Sequence, residues 1–247
     1  MRGLLKLTWV EFKLFLREPT AAFFTLVFPL MMLFLFGSIY GNQPSSFFGG
    51  YGSVDVSVPA YTAMIIASSG LLSLNIAVAS QREMGILRRL RATPLRPQTI
   101  LTAQVAVILL MTLVGMLLLV VAGKSVYGLR FAGNLLSVFA AFLLSSLSFF
   151  AVGFVVAGFA PSTRTALIIG MVIFYPMIFL SGATIPRETF PETMRQYSKA
   201  LPLTHVVTLL RGLWMGEPWT DHLTEVAVLA ALFVIGVTVS ARTFRWE

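Results

Sequence analysis

Seventeen residues, QREMGILRRLRATPLRP at positions 81–97, carry five arginines and separate two long runs, 59–80 and 99–122, that hold no charge at all. An uncharged apolar run of roughly 20 residues is long enough to cross the hydrocarbon of a bilayer as one helix. A short arginine-rich loop joining two such helices stays on the cytoplasmic side. The contrast therefore predicts two membrane spans and the side on which their connection lies.

The rest of the chain follows the same plan. Of its 247 residues, 57% are hydrophobic and 11% are charged, whereas about 25% charged residues is usual for a soluble domain. Six apolar runs can be drawn, at 21–40, 59–80, 99–122, 132–159, 165–182 and 222–241. Strands are disfavoured, because an open strand cannot satisfy its backbone in lipid and no segment alternates as a barrel strand must. The expected fold is all-α, a single polytopic transmembrane domain over residues 1–247. The first run follows an amphipathic segment and is too long for a signal-peptide core, so it reads as a retained anchor. There is no cysteine, which excludes disulfides and thiol chemistry.

The formal charge of +8 invites a nucleic-acid reading, but its distribution argues for a membrane surface. Segments 1–20, 81–98, 160–164 and 242–247 hold twelve basic and four acidic residues, a net +8; the alternate segments hold six of each and net zero. The surplus thus lies on one side, facing anionic lipid or a cytoplasmic partner. Both termini are expected in the cytoplasm, with no nucleic-acid partner.

Runs two to five contain no Asp, Glu, Lys, Arg or His. Ion-coupled carriers place ionisable groups at membrane depth, so a proton- or sodium-driven mechanism is disfavoured. Intramembrane hydrolysis and metal chemistry meet the same objection. His205 and His222 read as interfacial histidines without a ligating neighbour, so no catalytic or metal site is expected.

Three segments are informative locally. Residues 2–17, wound at about 100° per residue, place Arg2, Lys6, Lys13 and Arg17 on one arc, with Leu4, Leu5, Trp9, Phe12, Phe15 and Leu16 on a broad apolar face. That pattern suits a helix lying in the interface. In the arginine-rich loop, Ile86, Leu87 and Leu90 form an apolar ridge bordered by Glu83, with Arg82 and Arg89 on one flank and Arg88 and Arg91 on the other. Such a helix can fill a groove on a cytoplasmic protein or rest on lipid; the residues alone fit both. Beyond the fifth run, Pro191 opens one short helix and an apolar stretch, 205–214, forms a second, too short to cross. The Gly- and Ser-rich stretch 41–58 reads as a flexible connector.

These pieces resemble the type 2 ATP-binding-cassette (ABC) export permeases of the bacterial drug- and antibiotic-exporter kind. The resemblance rests on FKLFLREPTAAFFTLVFPLMMLFLFG, REMGILRRLRATPLRP and SGATIPRETFPETMRQYSKALPLTHVVTLLRGLW, in family order over essentially the whole chain. It implies six spans, an elbow helix at 4–17 and a coupling helix at 82–93. It also implies a dimer of permeases, homo- or heteromeric, and re-entrant helices before the last span. Glu83, Gly85, Ile86, Leu87, Arg88, Arg89, Leu90 and Arg91 would then contact a nucleotide-binding ABC ATPase subunit, with the 161–164 turn as a second, shorter contact. The family pathway, lined by spans two and five, implies Ser69, Ser73 and Asn75 with Met171, Phe174 and Tyr175. Sparse hydroxyls and adaptable Met side chains there suit a lipophilic or amphipathic cargo, although small and hydroxylated residues also serve plain helix packing.

The chain has no GxxxxGK[ST] phosphate loop, so no bound cofactor is expected in it; ATP and Mg would belong to the partner, and the chain itself is not an enzyme. The expected activity is ATP-driven export of a drug, antibiotic or lipid. A non-transporting membrane scaffold or sensor that recruits a cytoplasmic ATPase shares every one of these features.

Overall fold

In a computed structural model, residues 12, 13, 15, 18–85, 97–185, 187 and 190–243 are described. The fold is all-helical. Its elements are α1 (Pro19–Tyr40), α2 (Ser53–Glu83), α3 (Pro97–Tyr127), α4 (Leu135–Phe159), α5 (Thr163–Leu180), α6 (Glu192–Ser198), α7 (Pro202–Trp214) and α8 (Leu223–Thr243). Among the described residues, six helices are long and apolar enough to cross a membrane: α1 to α5 and α8. The chain is a multi-pass membrane protein. The interfacial helix expected at 4–17 lies almost wholly outside the described residues.

The centre of the bundle is α2. It packs against α1, α3, α4, α5 and α7, and every residue from Val58 to Ile76 is buried. Its composition explains the position. In lipid there is no hydrophobic drive between helices, so small and hydroxylated residues mark contact faces. Helix α2 is rich in Ser and Ala, whereas α1, α3 and α8 turn large side chains such as Val27, Met31, Val121, Val234 and Ile235 outward.

Two wide, π-helical turns sit where the helices cross most closely, Phe23–Val27 in α1 and Ser69–Leu74 in α2. At Gly70 an added Cβ would lie 2.5 Å from the Phe149 carbonyl oxygen of α4, and at Gly115 of α3 it would lie 2.8 Å from that of Thr25. Gly153 of α4 and Gly170 of α5 approach the α2 backbone just as tightly. The Ser68 hydroxyl lies 3.3 Å from the Phe24 carbonyl within the α1 wide turn, giving a second partner to backbone that such a turn loosens.

The second helix starts at Ser53, not near Pro59, so the expected flexible connector 41–58 is corrected: its last third is helical and buried. The cause is Asp55 in the first turn. Its carboxylate accepts hydrogen bonds from Gly52 N (3.1 Å), Asn42 Nδ2 (3.0 Å) and Arg130 N (2.8 Å). Asn42 Oδ1 in turn accepts from Val54 N and Asp55 N. A carboxylate at a helix N-terminus satisfies open donors and complements the dipole. Pro59 then sits inside the helix, about two turns beyond the Gly52 N-cap, where it removes one helical hydrogen bond. Elsewhere Asn134 caps α4 and Ser162 caps α5.

Candidate functional site

The first candidate is the end of the bundle from which the arginine-rich loop leaves. Helix α2 ends at Glu83, and Gly85 turns the chain with φ +66°, a conformation that favours glycine, its amide donating to Arg82 O at 2.9 Å. Two consecutive α2 residues then reach two different helix ends. The Arg82 guanidinium donates to the Gly158 and Ala160 carbonyls at the C-terminus of α4. Glu83 Oε2 accepts from Thr163 N at 2.8 Å and Thr163 Oγ1 at 2.5 Å at the N-terminus of α5. Each charge has the sign that its helix end favours, cation at the C-terminus and anion at the N-terminus.

The consequence is mechanical. The root of the loop, the α4–α5 turn and the ends of three helices form one hydrogen-bonded corner. Of the residues expected to contact a partner, Glu83 and Gly85 lie in this corner, and the Glu83 carboxylate is engaged within the chain. Ile86, Leu87, Arg88, Arg89, Leu90 and Arg91 lie outside the described residues. The short α4–α5 turn at 161–164, expected as a second contact, is brought directly against Glu83.

The second candidate is the interior. Ser69, Ser73 and Asn75 are buried within a single chain and bonded to neighbouring helices. Thr112 Oγ1 of α3 donates to Ser69 Oγ at 2.8 Å. The Ser73 and Thr25 hydroxyls are 3.5 Å apart. Asn75 Nδ2 donates to Ala166 O of α5 at 2.6 Å and to Leu71 O at 3.1 Å, while its Oδ1 has no partner. On α5, Phe174 is fully buried, Met171 is half-buried and Tyr175 is exposed. Phe24 of α1 joins Phe174 and Tyr175, with ring centroids 5.9 and 6.4 Å away. Of these residues Asn75 bonds across to α5, Ser69 and Ser73 face α3 and α1, and Tyr175 reaches the outer surface of α5 with Ile168, Val172 and Phe179.

The opposite end of the bundle holds groups that sequence reasoning missed. The Asp55 cap joins the α1–α2 and α3–α4 connections, and Trp214 Nε1 donates to Arg130 O at 3.0 Å, fastening α7 to the same point. The two histidines need correction, because carboxylates do stand beside them. His222 is buried with Nε2 2.9 Å from Glu217 Oε2, and Glu225 lies 4.0 Å from both His222 Nδ1 and His205 Nδ1. The three-residue spacing from His222 to Glu225 was the available signal. Among the described residues, no group of three or more His, Cys, Asp or Glu is arranged to hold a metal ion.

Comparison with known proteins gives the frame. A model of the ABC-2 type transporter family matches residues 2–215. The chain is 25% identical over 202 residues to inner membrane transport permease YhhJ of Escherichia coli, covering 79% of this chain and 52% of that protein. It is 24% identical over 164 residues to the probable multidrug ABC transporter permease YbhR of the same organism, covering 66% and 45%. It is 31% identical over 102 residues to nodulation protein J of Rhizobium leguminosarum bv. viciae, covering 41% and 39%. The chain thus spans about two-fifths to one half of the length of these relatives. With six membrane-crossing helices and a family match over most of its length, this chain belongs to the ABC-2 type transporter family.

Proposed function

We propose that the chain is the membrane subunit of an ATP-driven exporter in the bacterial inner membrane, with both termini in the cytoplasm. It would work as a dimer of permeases with a separate ABC ATPase that binds ATP and Mg. The cargo class is a lipophilic or amphipathic compound: drug, antibiotic or lipid. The relatives named as transport permeases, one of them as a multidrug permease, support the transport reading.

The observation that carries the reading is the corner built by Arg82 and Glu83. A docking helix moves spans only if its root is stiffly joined to them. Here the root grips α4 through Arg82 and α5 through Glu83, so a push on residues 86–91 reaches α2, α4 and α5 together. The mechanism is a rigid lever: closure of the ATPase subunits displaces the coupling loop, and the spans around α2 change their crossing. The buried contacts of Ser69, Ser73 and Asn75 with α1, α3 and α5 are those that must part if a pathway opens along α2 and α5.

The test is transport in vesicles that contain the chain and the ATPase that co-purifies with it. ATP-dependent movement of a lipophilic dye supports the reading. An ATPase that binds and is stimulated while no cargo moves favours the scaffold; movement that ignores ATP favours a secondary carrier.

A further inference from the structure

At the Ser53 end of the bundle two histidines share one carboxylate. His222 is buried in the turn between α7 and α8; its Nε2 lies 2.9 Å from Glu217 Oε2, and its Nδ1 lies 4.0 Å from Glu225 Oε2. His205, on α7, turns Nδ1 to the other oxygen of Glu225 at 4.0 Å, and its Nε2 lies 2.9 Å from Lys199 O. Each ring thus has an oxygen beside both of its nitrogens. A neutral imidazole carries one N–H, whereas the charged ring carries two. The Lys199 carbonyl can only accept, so a neutral His205 holds its hydrogen on Nε2 and points a lone pair at Glu225. A neutral His222 leaves one bare nitrogen facing a carboxylate in either tautomer. Only the charged rings match the oxygens around them.

Protons have a way in. A cavity of about 780 Å³ is lined by Glu217 together with Arg187, Arg195 and Arg211. The Glu217 side chain is half exposed, so solvent meets the carboxylate that approaches buried His222. Gly212 of α7 leaves room for that pair, because a Cβ there would strike both the His222 ring and the Glu217 carboxylate. The neighbouring charges come from several elements. Arg187 reaches Thr208 Oγ1 of α7 at 3.4 Å, and Arg195 of α6 lies 3.8 Å from Glu192. Asp221 accepts from the Thr220 hydroxyl, and Lys199 and Arg130 are exposed. From α8 the charge facing both rings is Glu225.

We infer that His205, His222 and Glu225 form a proton-operated clasp between α7 and α8, closed when the two rings are charged and loosened when they are neutral. Glu225 is the shared jaw: it stands on α8, and the rings reach it from α7 and from the Trp219–His222 turn. Opposite charges within about 4–6 Å favour each other's charged forms. The contact is therefore full at lower pH and fades as pH rises through the range, about 5 to 8, in which imidazoles lose their proton. Helix α7 also packs against α2 and α4, so the clasp bears on the centre of the bundle. It needs neither an ATPase nor cargo, so it stands or falls separately from the transport reading.

The experiment uses the detergent-purified full chain, whose only two histidines make their ring signals assignable by a single substitution, His205→Gln. Histidine-selective NMR follows both imidazoles from about pH 5 to about pH 8. Glu225→Gln should displace the titration of both rings to lower pH, and Glu217→Gln that of His222 alone. Glu192→Gln, outside the cluster, should move neither. Deuterium uptake by peptides covering 203–225 reads the clasp itself, comparing wild type with His222→Gln at the same pH. Exchange should be several-fold faster in the variant at about pH 6 and equal at about pH 8, with peptides from α3 unchanged. Thermal unfolding midpoints separate a loosened clasp from a lost fold, and Glu225→Gln supplies the second exchange test should His222→Gln not fold. The clasp is overturned if Glu225→Gln moves the titration of one ring or neither. An exchange ratio that is the same at both pH values, or faster exchange that extends to α3, overturns it as well.

Discussion

Glu83 and Thr163, eighty positions apart in sequence, meet where two helices end: both the amide and the hydroxyl of Thr163 donate to one oxygen of the Glu83 carboxylate. The pair joins the tail of the most buried helix to the head of α5. Arg82 grips the end of α4 beside it, so consecutive residues at the end of α2 hold two other helix ends. This bond geometry is what the proposed lever requires at the root of the loop.

Removing the brace should uncouple without unfolding. Glu83→Ala and Thr163→Val are expected to insert normally, since Glu83 is exposed, but to lower cargo-stimulated ATPase several-fold. The double variant should be no worse than Glu83→Ala alone, and Thr163→Val should be milder because the Thr163 amide still donates to Glu83. Additive losses in the stimulated rate would show that the two residues act separately.

Asp55 should matter for stability rather than coupling. Its buried carboxylate satisfies three donors from the α1–α2 and α3–α4 connections, and Asp55→Ala strands them at a cost of about 3 kcal/mol. A denaturant titration in detergent micelles measures it. Wild-type stability in the variant would mean that the cap at the Ser53 end contributes nothing.

Close crossings at the wide turn of α2 predict steric intolerance. Gly70→Val places atoms against the Phe149 carbonyl, and Gly153→Val against the Gly70 backbone. Each should cost roughly 1–3 kcal/mol or prevent assembly of the bundle. Gly41→Ala is a useful contrast: nothing lies within 4 Å of its Cβ, and only its positive φ opposes the change. Comparable yields of folded Gly70→Val and wild-type protein would contradict the close packing.

The absence of cysteine from the sequence makes accessibility easy to read. In the resting chain, Tyr175→Cys should react with a membrane-permeant maleimide, while Ser73→Cys and Asn75→Cys should not. During ATP turnover with the partner, the latter two should gain reactivity if α2 and α5 part to admit cargo. Constant protection through turnover would remove them from the pathway and leave them as packing residues.

Much of this architecture was legible in the residues, for physical reasons. Lipid requires long apolar helices, so six runs announce six crossings. What the pattern hid is instructive. Ser53 to Val58 carries a polar side chain at alternate positions and reads as a connector, yet Asp55 makes it the capped start of a buried helix. Hydropathy hid it because that carboxylate is satisfied by Asn42 and Arg130, residues from other segments. Likewise, Ser69, Ser73 and Asn75 stand out as polar residues in an apolar run, but only the fold reveals Thr112, Thr25 and the Ala166 carbonyl as their partners. Arg187, Arg195 and Arg211 look like scattered outer charges, yet all three line one cavity. Glu83, a partner contact by family resemblance, also accepts two hydrogen bonds from Thr163, a partner its sequence position does not reveal.

The most direct measurement follows ATP hydrolysis and cargo movement together in vesicles carrying Leu90→Asp, a change that puts a charge on the ridge expected from the loop sequence and lies outside every span. The account predicts that the variant inserts and stays folded, that the ATPase no longer responds to cargo, and that transport stops. Cargo-stimulated hydrolysis and transport at wild-type rates would contradict it, because the force would then be entering the membrane subunit somewhere else.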